Sequence, residues 1–432
     1  MKGISVGLLG MGTVGCGVVK IVENHQDKLI HQIGCPVSVK KALVKDLHKE
    51  RSVSLQPDLL TLHSEEVLDD PEIDVVIEVM GGVEDTRHYI LRALQNKKHV
   101  VTANKDLMAV YGSELLAAAA ENKCDLFYEA SVAGGIPILR SLVDGLASDR
   151  ITKMMGIVNG TTNFILTKMD NEGSPYLEVL KEAQQLGFAE ADPTADVDGL
   201  DAARKMAILS TLGFSMNIEL DDVHVKGISA ISSEDLQYSK KLGYTMKLIG
   251  IAHREKEKVE VSVQPTLLPK EHPLANVQNE FNAVYVYGEA VGETMFYGPG
   301  AGSLPTATAI VSDLVGVMKN KRLGVNGKSW VTPQFQKKLK EKEEVQAKHF
   351  LRIHVKDEVG VLSQITNIFS NKGVSFEKIL QLPLKETALS EVVVVTHHAS
   401  LQLYENLLDE LEKLDYVEEI KSSYRVEGEV AV

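Results

Sequence analysis

The first residues of the chain, Gly3-Ile-Ser-Val-Gly-Leu-Leu-Gly10-Met-Gly-Thr-Val-Gly15, decide its fold class. The apolar run Ile4–Leu9 predicts a β-strand, and residues 14–24 predict a helix directly after it. The glycine pattern G-x-G-x-x-G lies at the turn between them. A strand, a glycine-rich turn and a helix in this order are typical of the start of a doubly wound α/β domain.

Each glycine of this turn has its own task in binding a dinucleotide. Gly10 allows the tight turn, Gly12 lets the backbone approach the pyrophosphate, and Gly15 permits close packing of helix against strand. The helix N-terminus then faces the anion. The alternative is a glycine-rich turn that binds nothing. We predict dinucleotide binding, with contacts from the following residues: Gly10, Gly12, Thr13, Val14 and Gly15.

Short apolar runs alternate with helical patterns along residues 1–128. Further strands are predicted at 37–44, Val75–Glu78, 100–102 and 126–128, and helices at 86–96 and 111–122. Alternation with short connections implies a parallel sheet between layers of helices. The predicted fold class is therefore α/β, with a Rossmann-like parallel sheet in an N-terminal domain of residues 1–128.

Changes of pattern predict three more segments. Residues 129–320 mix helices with longer strands, which indicates an α+β domain, and the helix predicted at 306–318 is expected to pack on the first domain. Residues 321–347 are polar and predict a linker. Residues 348–432 show the βαββαβ order of a ferredoxin-like domain.

Composition excludes several classes of partner. The 432 residues include 46 Lys and Arg against 60 Asp and Glu, a net charge of −14, whereas nucleic-acid and anionic-membrane binders need a basic face. No apolar run reaches the ~18 residues that cross a bilayer. Three cysteines are too few for a disulfide framework, and no signal-peptide pattern precedes the first strand. We expect a cytoplasmic protein that binds neither nucleic acid nor membrane.

The turn after the second predicted strand, Val44-Lys45-Asp46, bears on the choice between NAD and NADP. An acidic residue there favours the ribose hydroxyl of NAD, and a basic residue favours the 2′-phosphate of NADP. Because Lys49 and Arg51 follow Lys45 closely, the loop favours NADP, with NAD as the alternative. A solvated basic loop without a ligand is the other interpretation.

Residues 187–205 are the segment most informative for chemistry. Asp201 and Lys205 are four residues apart and share one face of a predicted helix, and Glu190 precedes them on a loop. One lysine and two carboxylates beside apolar walls can hold a zwitterion and exchange a proton. One alternative is an ordinary ion pair on a helix. The other is a divalent-metal site formed by Glu190, Asp192, Asp196 and Asp198.

Six motifs give the chain a close resemblance to homoserine dehydrogenases, and they follow one another in that family's order. They are Gly10–Gly15, Thr102-Ala-Asn-Lys105, Tyr128-Glu-Ala-Ser-Val-Ala-Gly-Gly-Ile-Pro137, Asn159-Gly-Thr-Thr-Asn163, the segment 187–205 and Gly298-Pro-Gly-Ala-Gly302. The last domain opens with Lys356-Asp-Glu-Val-Gly-Val-Leu362 and resembles an ACT domain, a small amino-acid-sensing module.

The resemblance implies a reaction and a set of residues for it. The reaction is the NADP- or NAD-dependent interconversion of L-aspartate 4-semialdehyde and L-homoserine, a step in threonine and methionine biosynthesis. Lys205 matches the family's acid/base lysine, and Lys105 matches a lysine that contacts both nicotinamide and substrate. Glu190 and Asp201 match residues that bind the substrate's amino group. Further matches are Thr161 and Gly187 to the substrate, and Gly302 to the cofactor.

The same resemblance implies a monovalent cation, an effector and an assembly. A Na⁺ or K⁺ site built largely from backbone carbonyls matches four residues: Glu129, Val132, Gly134 and Ile136. The ACT domain implies feedback regulation by an amino acid, with threonine as the expected effector. The domain of residues 129–320 implies substrate binding, catalysis and dimer contacts, and a homodimer or homotetramer is expected.

Two rival functions are an aldehyde dehydrogenase and a non-catalytic regulatory protein. An aldehyde dehydrogenase that forms a thiohemiacetal needs an activated cysteine. All three cysteines lie within the first 124 residues and none in the predicted catalytic domain, which argues against that rival. A non-catalytic regulatory protein that only binds NAD(P) and an amino acid is the second rival. The set of Glu190, Asp201 and Lys205 argues against it.

Overall fold

A computed structural model describes residues 3–54, 56, 58–328, 333–385 and 387–428. The chain forms two compact units. The first comprises Met1–Ile151, Arg204–Asp221 and Asn282–Gln336, and the second comprises Thr152–Ala203, Asp222–Phe281 and Lys337–Val432. The sequence-based boundaries at 128, 320 and 347 stay a prediction. Residues 329–332 of the predicted linker lie outside the described residues.

The first unit contains a six-stranded parallel sheet. Its strands are β1 (Ile4–Leu9), β2 (Val37–Leu43), β3 (Leu60–Thr61), β4 (Val75–Glu78), β5 (His99–Thr102) and β6 (Leu126–Phe127). They lie in the order β3-β2-β1-β4-β5-β6, and each neighbouring pair is parallel. This is the strand order of a Rossmann fold. The predicted α/β fold class is thereby confirmed.

In the described part of residues 1–128, five helices accompany this sheet. They are α1 (Thr13–Asn24), α2 (Gln26–Ile33), α3 (Glu65–Leu68), α4 (Glu84–Gln95) and α5 (Lys105–Glu121). Helix α5 begins six residues before the predicted start at residue 111. The reason is a cap: the Asn104 side chain accepts a hydrogen bond from the Leu107 N–H at 3.1 Å, which starts the helix directly after β5.

The middle of the chain supplies elements to both units. Its helices are α6 (Ile138–Arg140), α7 (Gly160–Glu172), α8 (Tyr176–Gln185), α9 (Thr194–Val197), α10 (Leu200–Phe214), α11 (Ser233–Lys241) and α12 (Ser303–Leu323). Its strands are β7 (Ile151–Ile157), β8 (His224–Val225), β9 (Tyr244–Glu255), β10 (Lys258–Pro269), β11 (Phe281–Gly288) and β12 (Gly292–Pro299).

Helix α12 belongs to the core of the first unit, as the sequence predicts. Ala307, Ile310 and Leu314 are fully buried in the same apolar cluster as Val18 of α1. The two helices touch closely, because a Cβ on Gly17 of α1 would stand 2.5 Å from the Ser303 carbonyl oxygen. Among the described residues, no helix combines the length and apolar character that a membrane crossing requires.

The C-terminal residues form the predicted βαββαβ domain. Its elements are β13 (Gln346–Lys356), α13 (Val361–Asn371), β14 (Phe376–Pro383), β15 (Leu389–Thr396), β16 (Ala399–Ser400), α14 (Leu401–Leu411) and β17 (Val417–Val426). The antiparallel order β17-β13-β15-β14 is that of a ferredoxin-like sheet.

This domain shares one sheet with the rest of the second unit. The order there is β7-β9-β10-β17-β13-β15-β14, and β17 pairs in parallel with β10. Thr266 and Leu267 of β10 lie opposite Arg425 and Val426 of β17. The C-terminal domain is therefore built into the second unit by backbone pairing.

Candidate active site

The residues predicted to bind the dinucleotide lie at one edge of the parallel sheet. Gly10 follows β1, Lys45 follows β2, and Lys105 follows β5. Because these strands run in the same direction, their carboxyl ends lie together. This edge is where open α/β sheets bind their ligands.

The glycine turn has the shape that a pyrophosphate requires. Gly10 has a φ of 101°, and a Cβ there would stand 2.8 Å from the Val79 carbonyl oxygen. On Gly15 a Cβ would stand 2.5 Å from the Gly10 oxygen, whereas no described atom lies within 4 Å of a Cβ on Gly12. Helix α1 begins at Thr13, directly after that open position. The turn therefore fits a dinucleotide phosphate at the helix N-terminus.

Gly302 lies beside this turn. It is the N-cap of α12 with a φ of 120°, and the hydroxyl of the next residue, Ser303, donates to the Thr13 carbonyl at 2.7 Å. The structure therefore brings together two of the predicted cofactor residues, Thr13 and Gly302, which are far apart in sequence.

Sequence reasoning missed Glu78, which organises the same edge. Its carboxylate is fully buried at the end of β4, accepts from the Met80 and Gly81 N–H groups at 2.8 and 3.1 Å, and accepts from the Thr102 hydroxyl at 2.5 Å. Burial raises its pKa despite these donors. Glu78 thus joins β4 to β5 and holds the glycine turn at 81–82. A lone acid at a strand end gave no sequence signal for this role.

Lys45 lies on an exposed loop after β2. The Arg51 guanidinium closes this loop by donating to the carbonyls of Asp46 at 2.6 Å and Lys49 at 2.7 Å. Arg51 therefore shapes the loop, and Lys45 is its exposed cation nearest to β2.

The two predicted catalytic lysines have neighbours that form an ion pair. Lys105 is the first residue of α5 and is half-buried, as is Lys205 on α10. Asp106 Oδ1 accepts from Arg204 Nε at 3.0 Å, so the start of α5 lies beside the first turns of α10. Lys105 and Lys205 are thus each adjacent in sequence to one partner of this ion pair within the first unit.

Asp201 is held by Asn159, which the sequence analysis names only as the first residue of a motif. Asp201 is 6% exposed, and Asn159 Nδ2 donates to its carboxylate at 2.9 Å and to Asp196 at 2.7 Å. Asn159 Oδ1 caps α7 by accepting from the Thr162 N–H at 2.9 Å. One amide thus fixes the Asp201 carboxylate to the N-terminus of α7.

The loop carrying Gly187 and Glu190 is attached to the same helix end. The Thr161 hydroxyl donates to the Phe188 carbonyl at 2.6 Å. Gly187 has a φ of 79°, and Glu190 is exposed. The structure therefore attaches Asp201, through Asn159, and the loop that carries Gly187 and Glu190, through Phe188 and Thr161, to the first turn of α7.

The divalent-metal alternative finds no support in this segment. Asp196 accepts from Asn159, and Asp192 accepts from the Thr194 hydroxyl at 2.6 Å. Across the described ranges, no group of three or more His, Cys, Asp or Glu side chains could hold a metal ion. Asp196 and Asp192 instead accept hydrogen bonds from neighbouring side chains.

The four residues of the predicted monovalent-cation site lie in a buried turn before α6. The Glu129 carboxylate accepts from the N–H groups of Leu139 at 2.7 Å and Arg140 at 2.8 Å, so it caps that helix. Val132 is extended, and Gly134 is left-handed with a φ of 53°. With the carboxylate engaged, this turn presents mainly backbone carbonyl oxygens, of which that of Ile136 accepts from the Ile138 N–H at 2.8 Å.

The three thiols are all buried and unpaired with one another. Burial raises the pKa of the Cys124 thiol to about 11. A thiohemiacetal mechanism needs a lowered thiol pKa, so Cys124 is unsuited to act as the nucleophile of the aldehyde-dehydrogenase rival.

Comparison with known proteins gives a consistent result over the whole chain. The family model "Homoserine dehydrogenase, NAD binding domain" matches residues 10–129, "Homoserine dehydrogenase" matches 137–315, and "ACT domain" matches 349–416. The chain is 70% identical to the homoserine dehydrogenase of Bacillus subtilis over 99% of both chains. It is 41% identical to that of Synechocystis over 98% of this chain and 99% of the other. A crystal structure of a homoserine dehydrogenase from Thiobacillus denitrificans superposes with a TM-score of 0.93 at 40% identity, covering 99% of each chain.

Proposed function

The chain belongs to the homoserine dehydrogenase family, and from this premise we propose that it interconverts L-aspartate 4-semialdehyde and L-homoserine. The reaction is a step in threonine and methionine biosynthesis. The observation that carries the proposal is helix α10, which bears Asp201 and Lys205 one turn apart. Asp201 is fixed by Asn159 beside the Thr161 loop, and Arg204 ties the helix to the start of α5 beside Lys105.

The substrate is an amino acid, and the chain's carboxylates suit its ammonium group. We assign Asp201 and Glu190 to that ammonium, with Gly187 as a backbone contact. Asp201 is preorganised because Asn159 donates to it. The Thr161 hydroxyl donates its one proton to the Phe188 carbonyl, so it can donate to a substrate carboxylate only by giving up that bond, whereas its lone pairs can still accept from the ammonium.

Lys205 is proposed as the acid/base group. As the aldehyde carbon is reduced, its oxygen gains negative charge, and an ammonium there stabilises that charge and then delivers the proton. In the reverse direction the neutral amine removes the proton from the homoserine hydroxyl. Lys105 is assigned a supporting position in contact with both substrate and nicotinamide.

A nicotinamide dinucleotide supplies the hydride when it is bound. The chain would hold its pyrophosphate at the glycine turn with Gly10, Gly12, Thr13, Val14 and Gly15, and Gly302 lies beside that turn. We propose NADP as the preferred form, because Lys45 is an exposed cation after β2. NAD is the alternative.

A monovalent cation, Na⁺ or K⁺, is proposed at the backbone carbonyls of Glu129, Val132, Gly134 and Ile136. Regulation by threonine through the C-terminal domain and a homodimeric or homotetrameric assembly belong to the same proposal. A cytoplasmic location is supported by the three unpaired cysteines, which suit a reducing compartment.

Steady-state assays of cofactor oxidation test this function. We expect turnover of aspartate semialdehyde with NADPH, and slower turnover with NADH. Succinate semialdehyde has the same aldehyde but no α-ammonium group, and it should react with a kcat/KM lower by at least about a hundredfold, because the ammonium assigned to Asp201 and Glu190 is missing. Absence of turnover with both cofactors would refute the function, and equal use of the two aldehydes would refute the assigned roles of Asp201 and Glu190.

A further inference from the structure

Lys247 is a buried lysine on β9 that has no role in the chemistry proposed above. It is 1% exposed, and its ammonium donates to the Val277 carbonyl at 2.6 Å, to Asn163 Oδ1 at 2.9 Å and to Thr167 Oγ1 at 3.4 Å. These acceptors are all neutral. Burial lowers the pKa of the ammonium to about 8. A buried ammonium is costly unless it is hydrogen-bonded, and these three bonds make Lys247 the link between β9, α7 and the chain at Val277.

Asn163 connects Lys247 to helix α7. Its amide nitrogen donates to the carbonyls of Val277 at 3.2 Å and Phe281 at 3.1 Å, while its oxygen accepts from Lys247. Thr167, one turn further along α7, accepts from the Asn279 N–H at 3.1 Å. These bonds attach the segment 277–281 to the helix.

The segment 277–281 passes directly against the first turn of α7. A Cβ on Gly160, the first residue of the helix, would stand 2.7 Å from the Glu280 carbonyl oxygen. Asn159 and Thr161 flank this glycine, and they hold Asp201 and the 187–190 loop. A displacement of the segment would therefore shift the residues assigned to the substrate.

We propose that Lys247 is a positioning residue for the amino-acid substrate. Through Asn163 and the Val277 carbonyl it fixes the first turn of α7, and through that turn it sets Asp201 and the loop of Glu190. This inference rests on the proposed function, because it concerns the same substrate site. The residues that Lys247 contacts lie in the second unit, whereas those assigned to the dinucleotide phosphates lie in the first. Lys247 should therefore affect substrate binding and leave cofactor binding unchanged.

The test is the variant Lys247→Met in the full chain, compared with the wild type. The measurements are kcat, the KM values for aspartate semialdehyde and NADPH, and the melting temperature. We expect the KM for aspartate semialdehyde to rise about tenfold or more, with the NADPH KM within about twofold. The melting temperature should fall, since three buried acceptors lose their donor. Lys98→Met is the matched control, because Lys98 is also buried, donates to the Ile73 carbonyl at 3.0 Å and precedes β5 at the sheet's opposite edge. It should leave both KM values unchanged.

The outcomes separate this inference from the proposed function. If the wild type shows no turnover, the function itself fails. If the wild type is active and Lys247→Met keeps its semialdehyde KM, or raises the semialdehyde and NADPH KM values to the same extent, the positioning role is overturned. Thr167→Val covers the case in which Lys247→Met does not fold, because it removes only the hydroxyl that accepts from Lys247 and Asn279. It should raise the semialdehyde KM in the same direction, and an unchanged KM in the folded variant overturns the proposal.

Discussion

At the scale of single residues, the proposed chemistry depends on one face of α10. Asp201 is buried and receives a hydrogen bond from Asn159, so its carboxylate is fixed before the substrate arrives. Lys205 lies one turn later and is half-buried. A fixed acceptor for the substrate ammonium and a cation four residues away place opposite charges one helical turn apart. This spacing suits a zwitterion whose side-chain oxygen becomes negative during reduction.

The acid/base role of Lys205 predicts a loss of kcat. Lys205→Ala should lower kcat by about 10² or more, because the developing alkoxide loses both its counter-charge and its proton donor. The measurement is steady-state reduction of aspartate semialdehyde at saturating NADPH. Lys181→Ala, at an exposed lysine of α8, is the control and should be as active as the wild type. Wild-type kcat in Lys205→Ala would remove Lys205 from this role.

Features that depend on a few consecutive residues can be predicted from the sequence, whereas hydrogen bonds between residues far apart in the chain cannot. The fold class, the glycine turn and the spacing of Asp201 and Lys205 are visible in a few consecutive residues. The bonds from Asn159 to Asp201 and from Lys247 to Val277 join residues 30 to 42 positions apart. No local sequence pattern around an asparagine or a lysine predicts such distant hydrogen-bond partners. The carbonyl oxygens of the proposed cation site leave no side-chain signature at all.

At the scale of elements, the glycines in the turn between β1 and α1 have two different roles: one leaves space for the dinucleotide, and another allows α1 to pack closely. Gly12 faces open space, and Gly15 packs against the backbone of Gly10. The start of α5 shows the limit of periodicity: its first turn, Lys105–Met108, is decided by the cap at Asn104 and not by an apolar stripe. A cap search before the first apolar residue would have found this helix start.

Two alanine substitutions in this turn should affect different properties, cofactor binding in one case and stability in the other. Gly12→Ala should leave the melting temperature unchanged, since no described atom is close to the added methyl, and raise the NADPH KM about tenfold by blocking the pyrophosphate. Gly15→Ala should lower stability by about 1–3 kcal/mol, because its Cβ would stand 2.5 Å from the Gly10 oxygen. Calorimetry and cofactor kinetics check both. A Gly12→Ala variant with wild-type NADPH KM would contradict the assignment of the turn.

At the scale of the whole molecule, the C-terminal domain is bonded into the second unit by buried charges as well as by β17. Asp235 of α11 is 1% exposed and accepts from Arg352 Nε at 2.8 Å, the Ser422 hydroxyl at 2.5 Å and the Tyr424 hydroxyl at 3.0 Å. Arg352 also donates to Glu391 at 2.7 Å. Deleting the domain would remove Arg352, Ser422 and Tyr424, which donate to Asp235. The proposed regulation by threonine is therefore best tested in the full chain.

Loss of the buried Asp235–Arg352 ion pair should lower the free energy of unfolding far more than loss of an exposed ion pair. Arg352→Met should destabilise the chain by about 3–5 kcal/mol, since it leaves the Asp235 and Glu391 carboxylates without their guanidinium. Lys342→Met removes an exposed pair with Glu405 in the same unit and should barely change the melting temperature. Thermal unfolding of both variants is the check. Equal melting temperatures would show that the Asp235–Arg352 contact does not hold the domain in place.

The most direct test of the central claim is the stoichiometry of the reaction. Purified full-length protein is mixed with aspartate semialdehyde and NADPH, and the homoserine formed is quantified by chromatography against the NADPH oxidised. The proposed function predicts one homoserine for each NADPH. Oxidation of NADPH without homoserine, or no oxidation with either NADPH or NADH, would contradict it.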